Sequence, residues 1–289
     1  MDNFDPAYTP NHDDAMLRYS YKNQPTIIWW NLVRFGEAVG EMMGAGAKVD
    51  DPTYIAEGIK EGQEKDIIAR AEKLIMQAGE EYKATFLAEY KRLMTARLGL
   101  LRFKDSDFDE LFSEGLDTLE ALELDFNHFF RRLSNLRLED IATPEARKDK
   151  ASVFFHHEGP PKTVGESEAR EMLAKWLEKW RARIIEDWAE GSDALPEAKD
   201  EERRKAMKRV NPNFVPRGWI LDEIIRRVEK EDERDVLNRV MHMSLHPYED
   251  EWDGKTFDGV QYKGDVEEEK RWTGDVPRLE RAMQCSCSS

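Results

Sequence analysis

Between residues 172 and 188, a large apolar side chain recurs at every fourth position. The series is Met172, Trp176, Trp180, Ile184 and Trp188. Because residues four apart lie on one face of an α-helix, this spacing predicts a long helix with one buried face. Such a stripe forms a core far more often than a ligand-binding site, and we interpret it as core.

The rest of the chain also favours helices. No segment alternates apolar and polar residues over more than about five positions, as a half-buried strand would. A helix is predicted to begin at Asp51-Pro52, with Asp51 as its N-cap, and to end at Gly79. A further helix is predicted from Tyr82, and the fold class is therefore mainly α.

Composition divides the chain into three regions. Residues 1–25 contain three prolines and are predicted to form a loop. Residues 26–246 carry the helical periodicity, and residues 163–166 (TVGE) fit a capping box in front of the tryptophan helix. Residues 247–289 are polar and acidic, so we expect a tail without packed elements.

The charge balance bears on partners and location. With 44 basic and 60 acidic residues, the net charge is -16, so we expect no nucleic-acid partner, because such binding needs clustered Lys and Arg. No apolar run approaches the roughly 20 residues that cross a bilayer, so no membrane partner is expected. No targeting peptide is recognised, and the chain would be cytoplasmic if expressed as it stands.

Few motifs in the chain point to chemistry. Neither common glycine-rich phosphate-binding motif occurs, and neither G-x-S-x-G nor H-E-x-x-H is present. His156, His157 and Glu158 could supply metal ligands, but no Cys or further His follows at ligand spacing, so a surface loop is favoured and no metal site is predicted. These residues alone indicate an acidic helical domain of unknown function.

The chain has two cysteines, Cys285 and Cys287, separated by a single serine near its C-terminus. Free cysteines are usually buried, whereas chain ends are usually exposed. A bond between these two would close a small strained ring, which suits thiol exchange more than structural support. The two thiols therefore indicate a redox-capable tail, and an inert exposed end is an equally open alternative at this point.

Several segments together resemble the selenoprotein O family. They are residues 4–14 (FDPAYTPNHDD), 18–25 (RYSYKNQP), 30–32 (WNL), 211–219 (NPNFVPRGW) and the Cys-Ser-Ser end. They occur in the family's order and span both ends of the chain, so a chance match is very improbable.

The resemblance implies a protein-kinase-like fold, similar to a pseudokinase with a different activity. The family transfers AMP from ATP to Ser, Thr and Tyr hydroxyls of proteins, uses Mg²⁺ or Mn²⁺, and is mitochondrial in eukaryotes. Within the family, the metal-binding Asp-Tyr-Gly motif and the catalytic Asp-Asn pair precede the segment that residues 1–6 match. The chain is thus expected to supply only the helical C-lobe, without the residues that catalyse nucleotidyl transfer.

Two hypotheses follow for this chain. In the first, it is the C-terminal portion of a protein adenylyltransferase, binds no cofactor by itself and is inactive alone. In the second, it is a non-catalytic helical interaction module from a truncated gene. The tryptophan stripe and the alternating charges could support an interface, but folding explains both.

The resemblance also implies site residues. Arg18, Tyr19, Tyr21, Asn23 and Gln24 would lie beside the nucleotide site, and we predict that they form a buried hydrogen-bond network docking the loop on the helical lobe.

In the tail, Cys287 occupies the position of the family's selenocysteine, third from the end. It is therefore the expected attacking thiol, able to form a mixed disulfide with a partner, and Cys285 would be the resolving thiol.

Overall fold

The structure, a computed structural model, describes residues 2–189, 191–192, 194–257 and 259–281. It is mainly helical, which confirms the predicted class. The chain forms two compact units. We call residues 6–90 the N-terminal unit, and residues 2–5 with 91–281 the C-terminal unit. This division does not coincide with the boundaries predicted after residues 25 and 246.

The N-terminal unit contains a loop followed by four α-helices. The helices are α1 (Gln24–Ala38), α2 (Gly40–Ala45), α3 (Pro52–Glu57) and α4 (Glu64–Arg97), the last of which continues past residue 90. None of the helices described is both long and apolar enough to span a membrane.

The C-terminal unit contains the remaining helices and a short hairpin. The helices are α5 (Asp105–Asp107), α6 (Glu114–Ala121), α7 (Phe126–Asn135), α8 (Pro144–Ala151), α9 (Glu166–Trp188), α10 (Glu197–Lys208), α11 (Gly218–Glu231), α12 (Asp235–Leu245) and α13 (Val266–Trp272). A π-helical stretch, Phe108–Ser113, joins α5 to α6. The hairpin pairs β1 (Thr256–Phe257) with β2 (Val260–Gln261) in antiparallel register.

Helix α3 begins as the sequence predicts, because the Asp51 carboxylate accepts the Thr53 N–H at 2.8 Å. The rest of this prediction is wrong: α3 already ends at Glu57, and α4 runs through Gly79 and Tyr82, where one helix was predicted to end and another to begin. The missing side chain of Gly79 makes room for Trp29: a Cβ there would lie 2.7 Å from the indole. Gly79 therefore serves the packing of α1 on α4 and does not end a helix.

The tryptophan stripe lies on α9 and forms core, as predicted. Trp180 and Ile184 are fully buried. Each of three indole N–H groups also donates to a backbone carbonyl: Trp176 to Leu111 (3.1 Å), Trp180 to Leu98 (2.9 Å) and Trp188 to Gly99 (2.8 Å). A buried indole needs such a partner, so the stripe both fills the core and fixes the loop that follows α4.

The predicted capping box in front of α9 does not form. Gly165 is the N-cap and offers no side-chain acceptor. The first turn instead carries Glu166 and Glu168, whose charges suit the positive end of the helix.

The expectation of an unpacked segment after residue 246 is wrong for the residues described. Trp252, Tyr262, Trp272 and Val276 are buried in one cluster with side chains of α11 and α12. The first three of these anchors are ten residues apart in a polar segment, so they lack the helical or strand periodicity by which sequence patterns are recognised.

Candidate functional site

The segment 6–24, at the start of the N-terminal unit, forms a loop whose two ends are hydrogen-bonded to each other. The Tyr21 N–H donates to the Tyr8 carbonyl and the Lys22 N–H to the Pro6 carbonyl, both at 2.9 Å. These two bonds join the beginning of the segment to its end, so the residues between them occupy a defined loop.

Asp14 organises this loop. One oxygen of its carboxylate accepts the Arg18 N–H and the other the Tyr19 N–H, both at 2.8 Å. Leu17, which directly precedes Arg18, has a positive φ of 53°, and its carbonyl accepts a hydrogen bond from the Asn23 side-chain amide at 2.9 Å. Sequence reasoning missed the role of Asp14, although an Asp at the start of a turn is the usual signal for such bonds.

The five residues predicted beside the nucleotide site all lie in this loop or at its end. Arg18, Tyr19, Tyr21 and Gln24 are exposed, and Asn23 is half-buried. The prediction that these residues form a buried network is therefore wrong, because their hydrogen bonds form in an exposed loop. The physical reason is that the bonds are local: the Gln24 amide, for example, donates to the Tyr19 carbonyl at 2.7 Å, so these groups are satisfied without burial.

The side chains of the loop have defined neighbours within the unit. The Arg18 guanidinium lies 4.0 Å from the Trp30 ring centre, a cation–π contact that orients it. Burial, with a smaller contribution from the neighbouring Tyr21, raises the pKa of the Tyr90 phenol. An exposed, oriented guanidinium is suited to binding a phosphate, because its N–H groups match the geometry of phosphate oxygens.

A second polar cluster lies in the C-terminal unit around Asp275. Its carboxylate contacts His128 Nδ1 at 3.2 Å and accepts from the Arg132 guanidinium at 2.5 Å and the His157 N–H at 2.9 Å. Burial alone would raise the pKa of Asp275, but the His128 and Arg132 contacts outweigh it, and the pKa lies well below its usual range. Asp275 therefore holds α7 and the loop at residue 157 to the segment after α13.

Arg217 extends this arrangement to the start of the chain. Its guanidinium lies 2.5 Å from Asp125 and 3.4 Å from Asp2, and all three side chains are at least nine-tenths buried. The Phe4 N–H donates to the Leu124 carbonyl at 2.7 Å. Residues 2–5 are thereby fixed to the beginning of α7, a contact that sequence patterns did not reveal.

His156, His157 and Glu158 do come together, with one potential ligand atom of each within 4.8 Å of the others. The two nitrogens of His156, however, are engaged: Nε2 contacts the Val276 carbonyl at 2.9 Å, and Nδ1 accepts the Glu158 N–H at 3.1 Å. Burial lowers the pKa of His156, which favours the neutral ring that these two bonds require. This histidine holds a loop in place.

The predicted redox residues, Cys285 and Cys287, lie outside the described residues. Their role stays a prediction.

Comparison with known proteins decides the family. The model of the family "Protein adenylyltransferase SelO" matches residues 1–245. The chain belongs to this family. The resemblance seen in the sequence is thereby confirmed, and the match contains the loop around Asp14 and all helices up to α12.

Curated relatives extend the match to the whole chain. The chain is 31% identical to the mitochondrial protein adenylyltransferase SelO of Schizosaccharomyces pombe, covering all of this chain and 47% of the relative. It is 28% identical to the mitochondrial SelO of Saccharomyces cerevisiae, covering 48% of that protein. A protein nucleotidyltransferase YdiU from Ralstonia nicotianae is 27% identical and is covered to 46%. The chain thus spans about half the length of these relatives.

Proposed function

We propose that this chain is the C-terminal portion of a protein adenylyltransferase that moves AMP from ATP to Ser, Thr or Tyr hydroxyls of proteins. Its helical units would form the C-lobe of a kinase-like fold. The match to the SelO family over residues 1–245 carries the proposal. The names of the two yeast relatives support a mitochondrial location, which cell fractionation would test.

The described residues fit the binding of an ATP phosphate better than the binding of Mg²⁺ or Mn²⁺. Arg18 is exposed, oriented by Trp30 and suited to a phosphate of ATP. Mg²⁺ and Mn²⁺ prefer oxygen ligands, whereas the group of potential ligands found close together among the described residues, His156, His157 and Glu158, is rich in imidazole nitrogen. We therefore derive no catalytic step for this chain alone, and we assign ATP with Mg²⁺ or Mn²⁺ to the longer family protein.

The chain alone is expected to be inactive. Nucleotidyl transfer depends on cationic groups that stabilise charge on the phosphates, and a single exposed arginine does not provide such a site. Residues 1–289 with ATP and Mg²⁺ or Mn²⁺ should label neither themselves nor a general protein substrate with AMP. The melting temperature should not rise with ATP, because a ligand stabilises only a state that binds it.

The S. pombe relative at full length is the positive control for both assays. A rise of several degrees in the melting temperature of residues 1–289, lost in Arg18→Ala, would contradict the expectation and show that these residues hold ATP by themselves.

For the tail, we propose that the Cys287 thiolate attacks a disulfide of a protein partner, which forms a mixed disulfide and releases one partner thiolate. Cys285 then attacks Cys287, which releases the second partner thiolate and leaves a Cys285–Cys287 disulfide. The support is the Cys-x-Cys spacing together with the family resemblance of the end of the chain. After mild peroxide, mass spectrometry should find a Cys285–Cys287 bond, or a mixed disulfide that Cys287→Ser abolishes. Equal and slow oxidation of both thiols, at the rate of a free peptide, would end this proposal.

A further inference from the structure

Within the N-terminal unit, helix α1 has an apolar side that is exposed. Ile28, Leu32 and Phe35 follow one another at intervals of four and three residues, so they lie on one side of the helix. Their exposed fractions are 46%, 45% and 65%. Side chains of this size at this spacing are the usual signature of a helix face that packs against another element.

A neighbouring side of α1 is already packed on α4. A Cβ at Gly36 would lie 2.9 Å from the side chain of Ile75, and Trp29 packs over Gly79. The Tyr82 hydroxyl also donates to the Pro25 carbonyl at 2.8 Å. Helix α1 is therefore held by contacts that do not use the stripe, and the stripe is not needed to attach α1 to α4.

The stripe also lacks charge. Gln24 and Asn31 share its side of the helix and are neutral, while Arg34 and Glu37 pair with each other at 2.7 Å away from it. In a chain with 36% charged residues, a helix face left in water would normally carry Lys, Arg, Asp or Glu. An uncharged apolar face is typical of a permanent interface, because charged residues are depleted at the core of such surfaces.

We propose that Ile28, Leu32 and Phe35 form the docking surface for the part of the family protein that this chain does not span. The inference rests on the proposed function, in which the chain is one portion of a longer adenylyltransferase. The chain covers 47% of the S. pombe relative, so about half of such a protein remains to supply a permanently present, apolar partner surface. An uncharged apolar surface is better suited to a permanent interface, with a half that is covalently continuous or constitutively bound, than to a transient partner.

Photo-crosslinking tests this docking surface. Phe35 is replaced by a photoreactive phenylalanine analogue in the protein expressed in its source cells, and the crosslinked peptide is identified by mass spectrometry. The matched control carries the analogue at Met76, which lies on α4 and is 73% exposed. Both positions are exposed in residues 1–289, so the substitutions should leave the melting temperature of residues 1–289 unchanged.

The expected result is a crosslink from position 35 to a SelO-family sequence lying outside residues 1–289, with no such product from position 76. Adding Leu32→Glu should abolish the crosslink, because it places a charge within the stripe. A crosslink to residues 1–289 of the same chain, to a second copy or to an unrelated protein would overturn the proposal, as would no crosslink. Since the readout needs no catalysis, docking without AMP transfer would count against the proposed function alone.

Discussion

Replacing Trp180 by alanine is expected to lower the free energy of unfolding of the C-terminal unit by about 3–5 kcal/mol, the range for removing a large buried aromatic side chain. Trp180 is fully buried and donates its indole N–H to the Leu98 carbonyl. The Arg203 guanidinium, itself fully buried, lies 5.1 Å from the centre of the indole ring. The substitution therefore opens a cavity and removes the partner of a buried carbonyl at once.

Chemical denaturation followed by circular dichroism measures this effect. Leu221→Ala is the control within the same unit: Leu221 is 44% exposed, so its loss should cost well under half as much. Trp180→Phe should fall between the two, because it keeps an aromatic ring but not the N–H. Equal unfolding midpoints for Trp180→Ala and Leu221→Ala would show that the α9 stripe is not the core of this unit.

Asp275→Asn is expected to cost about 3 kcal/mol at neutral pH, the lower end of the range for breaking a buried ion pair. The carboxylate accepts from Arg132 and the His157 N–H and contacts His128. The lower end is appropriate because the Arg132 side chain is 24% exposed, so water can solvate part of its guanidinium charge after the carboxylate is removed.

The effect of Asp275→Asn should depend on pH in one direction. The folded pKa of Asp275 lies below its usual value, so the unfolded chain takes up the proton first. The stabilisation is therefore complete above pH of about 4, the ordinary aspartate pKa, and is lost as the pH falls towards the lowered folded pKa. The gap between the wild-type protein and Asp275→Asn should narrow over that window.

Asp232→Asn provides the matched control, because Asp232 is 85% exposed and its ion pair among the described residues is with the exposed Arg234 at 3.3 Å. It should leave the free energy of unfolding nearly unchanged at every pH. A gap for Asp275→Asn that stays constant from neutral pH down to acid would contradict the assigned role of the carboxylate.

The sequence predicted elements whose residues repeat at helical spacing, and of its two capping predictions the Asp51 cap forms whereas the box at residues 163–166 does not. The α9 stripe and the Asp51 cap are confirmed because each depends on neighbours within a few positions. Gly79 was misjudged as a helix end because its role depends on Trp29, fifty residues earlier in the chain. The anchors Trp252 and Trp272 were missed for the same reason, since their partners lie on α11 and α12.

The candidate site also contains residues that the sequence indicated and contacts that only the structure shows. A resemblance drew attention to Arg18 and its neighbours, but only the structure gives their exposure and the local bonds to Asp14. The contacts of Asp275 with His128 and of Arg217 with Asp2 join residues more than 140 positions apart. No spacing rule connects such distant charges, because pairing at this range is decided by tertiary packing.

The most direct measurement of the central proposal is AMP transfer by two forms of the protein assayed side by side. One is residues 1–289 alone, and the other contains residues 1–289 together with the half found in its relatives and not in this chain. With ATP and Mg²⁺ or Mn²⁺, mass spectrometry of a general protein substrate should show AMP on Ser, Thr or Tyr hydroxyls with the longer form and none with residues 1–289. Equal transfer by both forms, or none by the longer form, would contradict the view that this chain is one portion of an adenylyltransferase.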